Sequence, residues 1–304
     1  MNLQGLHIEL TNKCYLKCPK CPRTLFIDKF GIKNWENYDL KLEHLKSFLN
    51  IDLTNKIINF CGNYGDPIYH SEFLAIVKWF KEKNALVKIV TNGSYKNQNW
   101  WENLTGYLTE KDEVCFSIDG IPENFTEYRI NADWKSIAVG LDIVGNSHVH
   151  SAWKYIPFNF NEFDIESAKK ISESFNIKEF RIEPSYRFEE TDDLIPAADN
   201  KIHVSTIAKI NWRKIDQFAR KDKLVDPKCK KSEMDHFISA DGYYLPCCYV
   251  GDYRFYYKSK FYKNKKSYKI QDTTIEKILE QEDDFFKNLE VTKPDYCTFN
   301  CPKL

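Results

Sequence analysis

Leu6-His7-Ile8-Glu9-Leu10-Thr11-Asn12-Lys13-Cys14-Tyr15-Leu16-Lys17-Cys18-Pro19-Lys20-Cys21-Pro22-Arg23 holds the pattern on which everything else turns. A strand-like run, Leu6–Leu10, leads straight into three cysteines spaced C-x3-C-x2-C. Thiolates this close can hold three irons of a cubane cluster, which normally takes four cysteine ligands. A missing fourth ligand leaves one metal position open, as in catalytic zinc sites. The competing readings of the same loop are a zinc knuckle and a set of packed thiols.

Composition narrows the class. The chain has 304 residues, 42 % hydrophobic and 15 % aromatic, enough for one large domain and a smaller one. Forty-four basic residues balance forty-four acidic ones, so no global charge draws the chain to nucleic acid or membrane. No basic-then-apolar signal opens the sequence, and no apolar run nears the ~20 residues that span a bilayer. Ten cysteines in such a chain read as metal ligands rather than disulfides, and a cytoplasmic location is expected.

Strand-like runs at Leu6–Leu10, Ile57–Cys61, Leu86–Thr91, Val114–Ile118, Lys154–Phe160 and Glu179–Glu183 alternate with amphipathic segments. Phe73, Ile76, Val77 and Phe80 share a helical face after Ser71. Asp164 reads as the N-cap of a helix with Ile165, Ala168, Ile171 and Phe175 on one face. Repeated βα units imply a parallel sheet with right-handed crossovers. The pattern breaks at the acidic, Pro-containing stretch Glu189–Asn200. Beyond it we expect a helix around Ser205–Arg220, a cysteine-bearing hairpin turning at Asp241-Gly242, and a final helix near Thr274–Leu289.

The opening segment, Glu9 through Arg23, closely resembles that of radical S-adenosylmethionine (SAM) enzymes. The resemblance implies an α/β fold, a partial (β/α)6 TIM-like barrel over residues 1–200. It implies that Cys14, Cys18 and Cys21 hold a [4Fe–4S] cluster whose open iron chelates the amino and carboxylate groups of SAM. Electron transfer then yields methionine and a 5′-deoxyadenosyl radical, which abstracts a hydrogen from the substrate. Lys20 departs from the family, which usually carries an aromatic residue there. Tyr64-Gly65-Asp66-Pro67 stands where the family has Gly-Gly-Glu-Pro, so carbonyls of this turn would hold the SAM ammonium, with Asp66 shaping the turn. Thr91-Asn92-Gly93 and Ser117-Ile118-Asp119-Gly120 resemble further strand ends of the pocket. Asn92, Ser117 and Asp119 are thus expected cofactor contacts. Ser117 and Asp119 suit ribose hydroxyls or substrate, and Arg129 suits the SAM carboxylate through its fork geometry. Asn159 and Asn161 are weaker candidates.

The tail carries Cys229, Cys247, Cys248, Cys297 and Cys301, with Gly242 opening a G-x4-C element at Cys247. Residues 201–304 resemble the SPASM/twitch extension. The resemblance implies one auxiliary [4Fe–4S] cluster on Cys229, Cys247, Cys297 and Cys301, with Cys248 spare. A four-thiolate zinc site is the alternative, although paired C-x2-C knuckles are absent from the tail. Cys61 and Cys115 sit in strands and read as packed thiols. Residues 253–269 interleave seven aromatics with seven basic residues, a pattern read either as an exposed hairpin arm or as a nucleotide-binding surface. A peptide or small-molecule substrate, sugar- or nucleotide-like, is expected, with flavodoxin or ferredoxin as electron donor. No peptide-recognition domain precedes the barrel in this sequence, which counts against a peptide. The reading from another class is a non-catalytic zinc or iron–sulfur module that contacts nucleic acid.

Overall fold

A computed structural model describes residues 3–183, 195–197, 200–202, 229, 236–292, 294, 297 and 301. The helix expected around Ser205–Arg220 and most of the Glu189–Asn200 stretch lie outside the described residues. In chain order the elements are β1 (Gly5–Ile8), α1 (Pro22–Phe30), α2 (Leu42–Phe48), β2 (Ile57–Phe60), α3 (Phe73–Glu82), β3 (Leu86–Thr91), α4 (Gln98–Tyr107) and β4 (Glu113–Ser117). There follow α5 (Trp134–Gly145), β5 (His150–Tyr155), α6 (Ile165–Ser174), β6 (Glu179–Ile182), β7 (Ile195–Ala197), β8 (Asn200–Ile202), β9 (His236–Ile238) and β10 (Tyr244–Leu245). Short helices at Tyr253–Tyr256, Lys260–Lys263 and Leu289–Thr292, and a longer one at Ile275–Lys287, lie toward the end of the chain. Strands β1 to β6 form the parallel α/β architecture that the alternating pattern predicts. The chain divides into two interleaved compact units, residues 1–12, 38–86 and 214–304, and residues 13–37 and 87–213.

In the first unit the strand order is β10-β9-β1-β2. β1 runs parallel to both β2 and β9, and all four of its residues are buried. A strand covered on both faces needs the apolar character that Leu6 and Ile8 supply. β9 turns back antiparallel into β10 through Asp241-Gly242, where Gly242 takes φ +84°, a left-handed angle natural to glycine. α3 buries the expected stripe of Phe73, Ile76, Val77 and Phe80. Thr274 caps the Ile275–Lys287 helix by accepting from the Lys277 N–H at 3.5 Å. The basic-aromatic stretch 253–269 is not a hairpin arm: it folds as two single-turn helices and a 3₁₀ turn, Lys265–Tyr268. Phe261 and Tyr268 are buried there, their ring centroids 4.9 Å apart.

In the second unit β3, β4, β5 and β6 lie parallel in that order. α4 and α5 pack so tightly that a Cβ on Gly140 would come within 2.7 Å of the fully buried Trp101 ring. Two expectations are corrected here. The fifth strand is His150–Tyr155, not Lys154–Phe160. Its polar start is tolerated because the Ser151 hydroxyl accepts the Lys178 N–H at 3.1 Å. It ends early because Asp119 takes the Ile156 N–H at 2.7 Å, and the Asn161 amide brackets Ile156 and Phe158. Asp164 precedes α6 without capping it; its carboxylate instead accepts from the Asn124 amide at 2.7 Å.

Candidate active site

The cysteine loop belongs to the second unit and is held from several sides. The Lys17 N–H bonds the Ile130 carbonyl at 3.0 Å, and Arg23 Nη1 bonds the Leu16 carbonyl at 2.9 Å. Tyr15 meets Tyr95 edge-on at 5.6 Å between ring centroids. The loop reverses at Lys20, whose φ of +59° is left-handed, a conformation uncommon outside glycine. Cys21 then precedes Pro22, which opens α1 at the position where its missing N–H costs nothing. Cys14, Cys18 and Cys21 all pack into one apolar cluster with Leu16, Tyr128 and Phe158. Cys18 is buried, while Cys14 and Cys21 are half-buried.

Two N–H donors face the thiols. Asn92 Nδ2 lies 3.8 Å from Cys14 Sγ, and Arg129 Nη1 lies 3.9 Å from Cys18 Sγ. Such donors stabilise sulfur carrying negative charge, as a metal-bound thiolate does. Burial pushes the Cys18 thiol up to about 11, with Arg129 pulling the other way. Metal binding must displace that proton. Among the described residues, no three Cys, His, Asp or Glu side chains already stand in a metal-holding arrangement. The thiols nonetheless fit the cluster by residue type, spacing, shared surroundings and donors.

Arg129 is itself fixed. Its Nε donates to Asp119 Oδ2 at 2.6 Å, and its guanidinium lies 5.4 Å from the Tyr128 ring centroid. Burial opposes the guanidinium charge, but the Asp119 carboxylate more than compensates and holds Arg129 protonated. Asp119 is fully buried, and its other oxygen accepts the Ile156 N–H. Its carboxylate, predicted to meet ribose or substrate, is thus engaged within the protein. The Asn92 side chain also accepts the Ser94 N–H at 2.9 Å. Ser117 ends β4 and is buried. Asn161 is structural: its Nδ2 donates to the Asp119 and Ile156 carbonyls.

The turn 62–67 belongs to the first unit. Asp66 accepts the Ile68 N–H at 3.2 Å within the turn. Gly65 approaches β1's continuation so closely that a Cβ would lie 2.0 Å from the Thr11 carbonyl oxygen. Glu9 has no counterpart among the predicted site residues. It is buried, and its carboxylate accepts the N–H groups of Tyr64 at 2.6 Å and Gly65 at 3.1 Å. Its sole sequence signal is a carboxylate inside an otherwise buried strand end.

In the same unit Cys229, Cys247, Cys297 and Cys301 are all buried, and Cys248 is half-buried. Burial raises the Cys297 thiol to about 12, and the neighbouring charges of Cys229 and Cys301 push the same way. Cys247 is raised well above its usual range by burial, with Cys248, Cys229 and Cys297 adding to the effect. Cys229 thus acts on both Cys247 and Cys297, and Cys301 acts on Cys297. Cys115 is buried in β4 and Cys61 half-buried just after β2.

No family model matches the chain. A curated relative, the tungsten-containing aldehyde ferredoxin oxidoreductase cofactor-modifying protein of Pyrococcus furiosus, is 27 % identical over 120 residues, covering 40 % of this chain and 32 % of that protein. Among solved structures, anSMEcpe with bound AdoMet matches with a TM-score of 0.59 at 16 % identity, over 98 % of this chain and 89 % of that one. Streptococcus suis SuiB bound to S-adenosylmethionine matches with a TM-score of 0.56 at 14 % identity, over 83 % of this chain and 61 % of SuiB. SuiB bound to its precursor peptide SuiA gives 0.55. The chain thus spans about a third of the curated relative and under two thirds of SuiB. These structural neighbours are radical SAM enzymes. The chain has their fold, an α/β partial barrel with six parallel strands. Among the described residues no helix is long and apolar enough to cross a membrane.

Proposed function

We propose that this chain is a radical SAM enzyme, an oxidoreductase or a maturase, whose Cys14, Cys18 and Cys21 hold the SAM-binding cluster. The observation that carries this reading is the packed three-thiol loop with Asn92 and Arg129 donors at two of its sulfurs. When bound, the cluster supplies the electron that cleaves SAM. The chain's own residues bind and orient. Asp119 fixes Arg129 so that its terminal nitrogens would serve the SAM carboxylate. Asn92 and Ser117 line the same reading. Tyr128 and Phe158, buried against the thiols, exclude water that would quench a radical. Cys229, Cys247, Cys297 and Cys301 form the ligand set of an auxiliary [4Fe–4S] cluster in a twitch-like region, supported by the burial of all four thiols and by the influence of Cys229 on both Cys247 and Cys297.

A peptide substrate is supported by SuiB's capture of a precursor peptide in the same fold. A small molecule is the second substrate class that the barrel admits, and a flavodoxin or ferredoxin is the proposed electron donor. Anaerobic reconstitution should give about eight irons, from two four-iron clusters. Replacing Cys14, Cys18 and Cys21 by Ala should remove about half the iron and all cleavage of SAM to 5′-deoxyadenosine. Wild type that holds zinc and never cleaves SAM under dithionite would overturn the proposal in favour of a zinc module.

A further inference from the structure

The geometry points to Glu9 as the positioning residue that turns the carbonyls of Gly62, Asn63 and Tyr64 outward, making the turn an ammonium receptor. This inference deepens the radical SAM reading and rests on it. Its starting point is a buried carboxylate with no role in holding a cluster. Glu9 is 2 % exposed and accepts the N–H groups of Tyr64 and Gly65, with the Asn63 N–H a third donor.

In a trans peptide unit the N–H and the preceding C=O point in opposite directions. Three consecutive N–H groups gathered on one carboxylate therefore send three consecutive carbonyls the other way. The donor side is a nest of the kind that usually receives an anionic ligand; here the chain's own carboxylate fills it. The opposite side is a row of acceptors, which suits a cation carrying several N–H donors. An ammonium group fits that description.

Glu9 is well held for such a task. Its own N–H bonds the Ile238 carbonyl of β9 at 2.9 Å. The turn has no room to swing. A Cβ on Gly65 would strike the Thr11 carbonyl at 2.0 Å, and one on Gly62 would strike the Gly65 carbonyl at 2.2 Å. The second glycine of the turn is thus required by the segment after β1 that carries Glu9 and Thr11. Asp66 fixes the exit by accepting the Ile68 N–H.

The test compares reconstituted wild type, Glu9→Gln and Glu9→Asp, with iron content measured for each. Two probes are used: SAM, which carries the ammonium, and 5′-methylthioadenosine, which has the adenosine and sulfur but no amino acid part. Glu9→Gln should raise the KM for SAM by about tenfold with kcat for SAM cleavage within about twofold, because one acceptor becomes a donor that repels an N–H. Affinity for methylthioadenosine should not change. Glu9→Asp, which keeps the charge but withdraws it by one methylene, should fall between the two. Equal losses for SAM and methylthioadenosine would mark Glu9 as merely structural and overturn the inference, as would an unchanged KM. Wild type that does not bind SAM at all removes the radical SAM reading itself. If Glu9→Gln loses its cluster, the Glu9→Asp pair of affinities decides by the same criterion.

Discussion

Asp119→Asn isolates the contact that fixes Arg129 beside Cys18. The carboxylate is fully buried, the Arg129 side chain is 17 % exposed, and the Nε···Oδ2 distance is 2.6 Å. Breaking a buried pair from one side strands the other charge, at a cost of about 3–5 kcal/mol. An asparagine can keep one acceptor for the Ile156 N–H, so the lower end, about 3 kcal/mol, is expected. The same change frees the guanidinium that now lies 3.9 Å from Cys18 Sγ, so iron retention and SAM affinity should fall together with stability. Urea unfolding of wild type, Asp119→Asn, Arg129→Met and the double variant gives a thermodynamic cycle. Because the double variant removes both charges, it should be less destabilised than the sum of the singles, by more than about 1.5 kcal/mol. Additive effects, or an Asp119→Asn loss below about 0.5 kcal/mol, would show that the pair is effectively solvated and refute the reasoning.

Further outcomes follow from other contacts. Cys297→Ala with Cys301→Ala should leave dithionite-driven SAM cleavage largely intact while product formation on the true substrate fails; a double variant that keeps the first cluster but makes no 5′-deoxyadenosine would contradict this division. Gly140→Ala should destabilise by about 1–3 kcal/mol through the Trp101 clash, whereas Gly106→Ala in α4, with nothing within 4 Å of its Cβ, should stabilise by up to about 1 kcal/mol; thermal midpoints of both decide. Burial raises Glu9 to about 7 against the pull of the Tyr64, Gly65 and Asn63 N–H groups, with Asp241 adding to the rise. The folded state therefore binds that proton more tightly, and stability is lost as pH climbs from about 4.5 to about 7. Burial lowers His7 to about 4, so its contribution is lost in the opposite sense, as pH falls through 6.5 toward 4. Glu9→Gln should remove only the first trend, so its stability relative to wild type should improve from pH 5 to pH 8 in urea titrations; a pH-independent difference would argue against the raised carboxyl.

The cysteine loop and the parallel-strand architecture were legible in the sequence because both are written locally. Cys14, Cys18 and Cys21 sit within one turn of chain, and the apolar runs of β1 to β4 announce strands without help from distant residues. Asp241-Gly242 likewise marks the turn before β10. The fifth strand was misplaced because apolarity was the wrong guide there. His150 and Ser151 tolerate a strand through partners on β6 and its approach, Glu179 and the Lys178 N–H, while Asp119 and Asn161 draw the apolar stretch after Tyr155 out of the sheet. The same logic governs the site. Arg129 and Asp119 were each visible as polar residues near strand ends, but their union into one buried ion pair depends on the loop after β4 returning to the cysteines. Glu9 lies 55 and 56 positions from the two N–H groups whose bonds to it are given above, too far for any local pattern to signal. Residue chemistry alone thus declared which atoms could hold a cluster. Tertiary packing decided which charges are neutralised inside the protein and which backbone groups face outward, because burial and hydrogen-bond geometry exist only once distant segments meet.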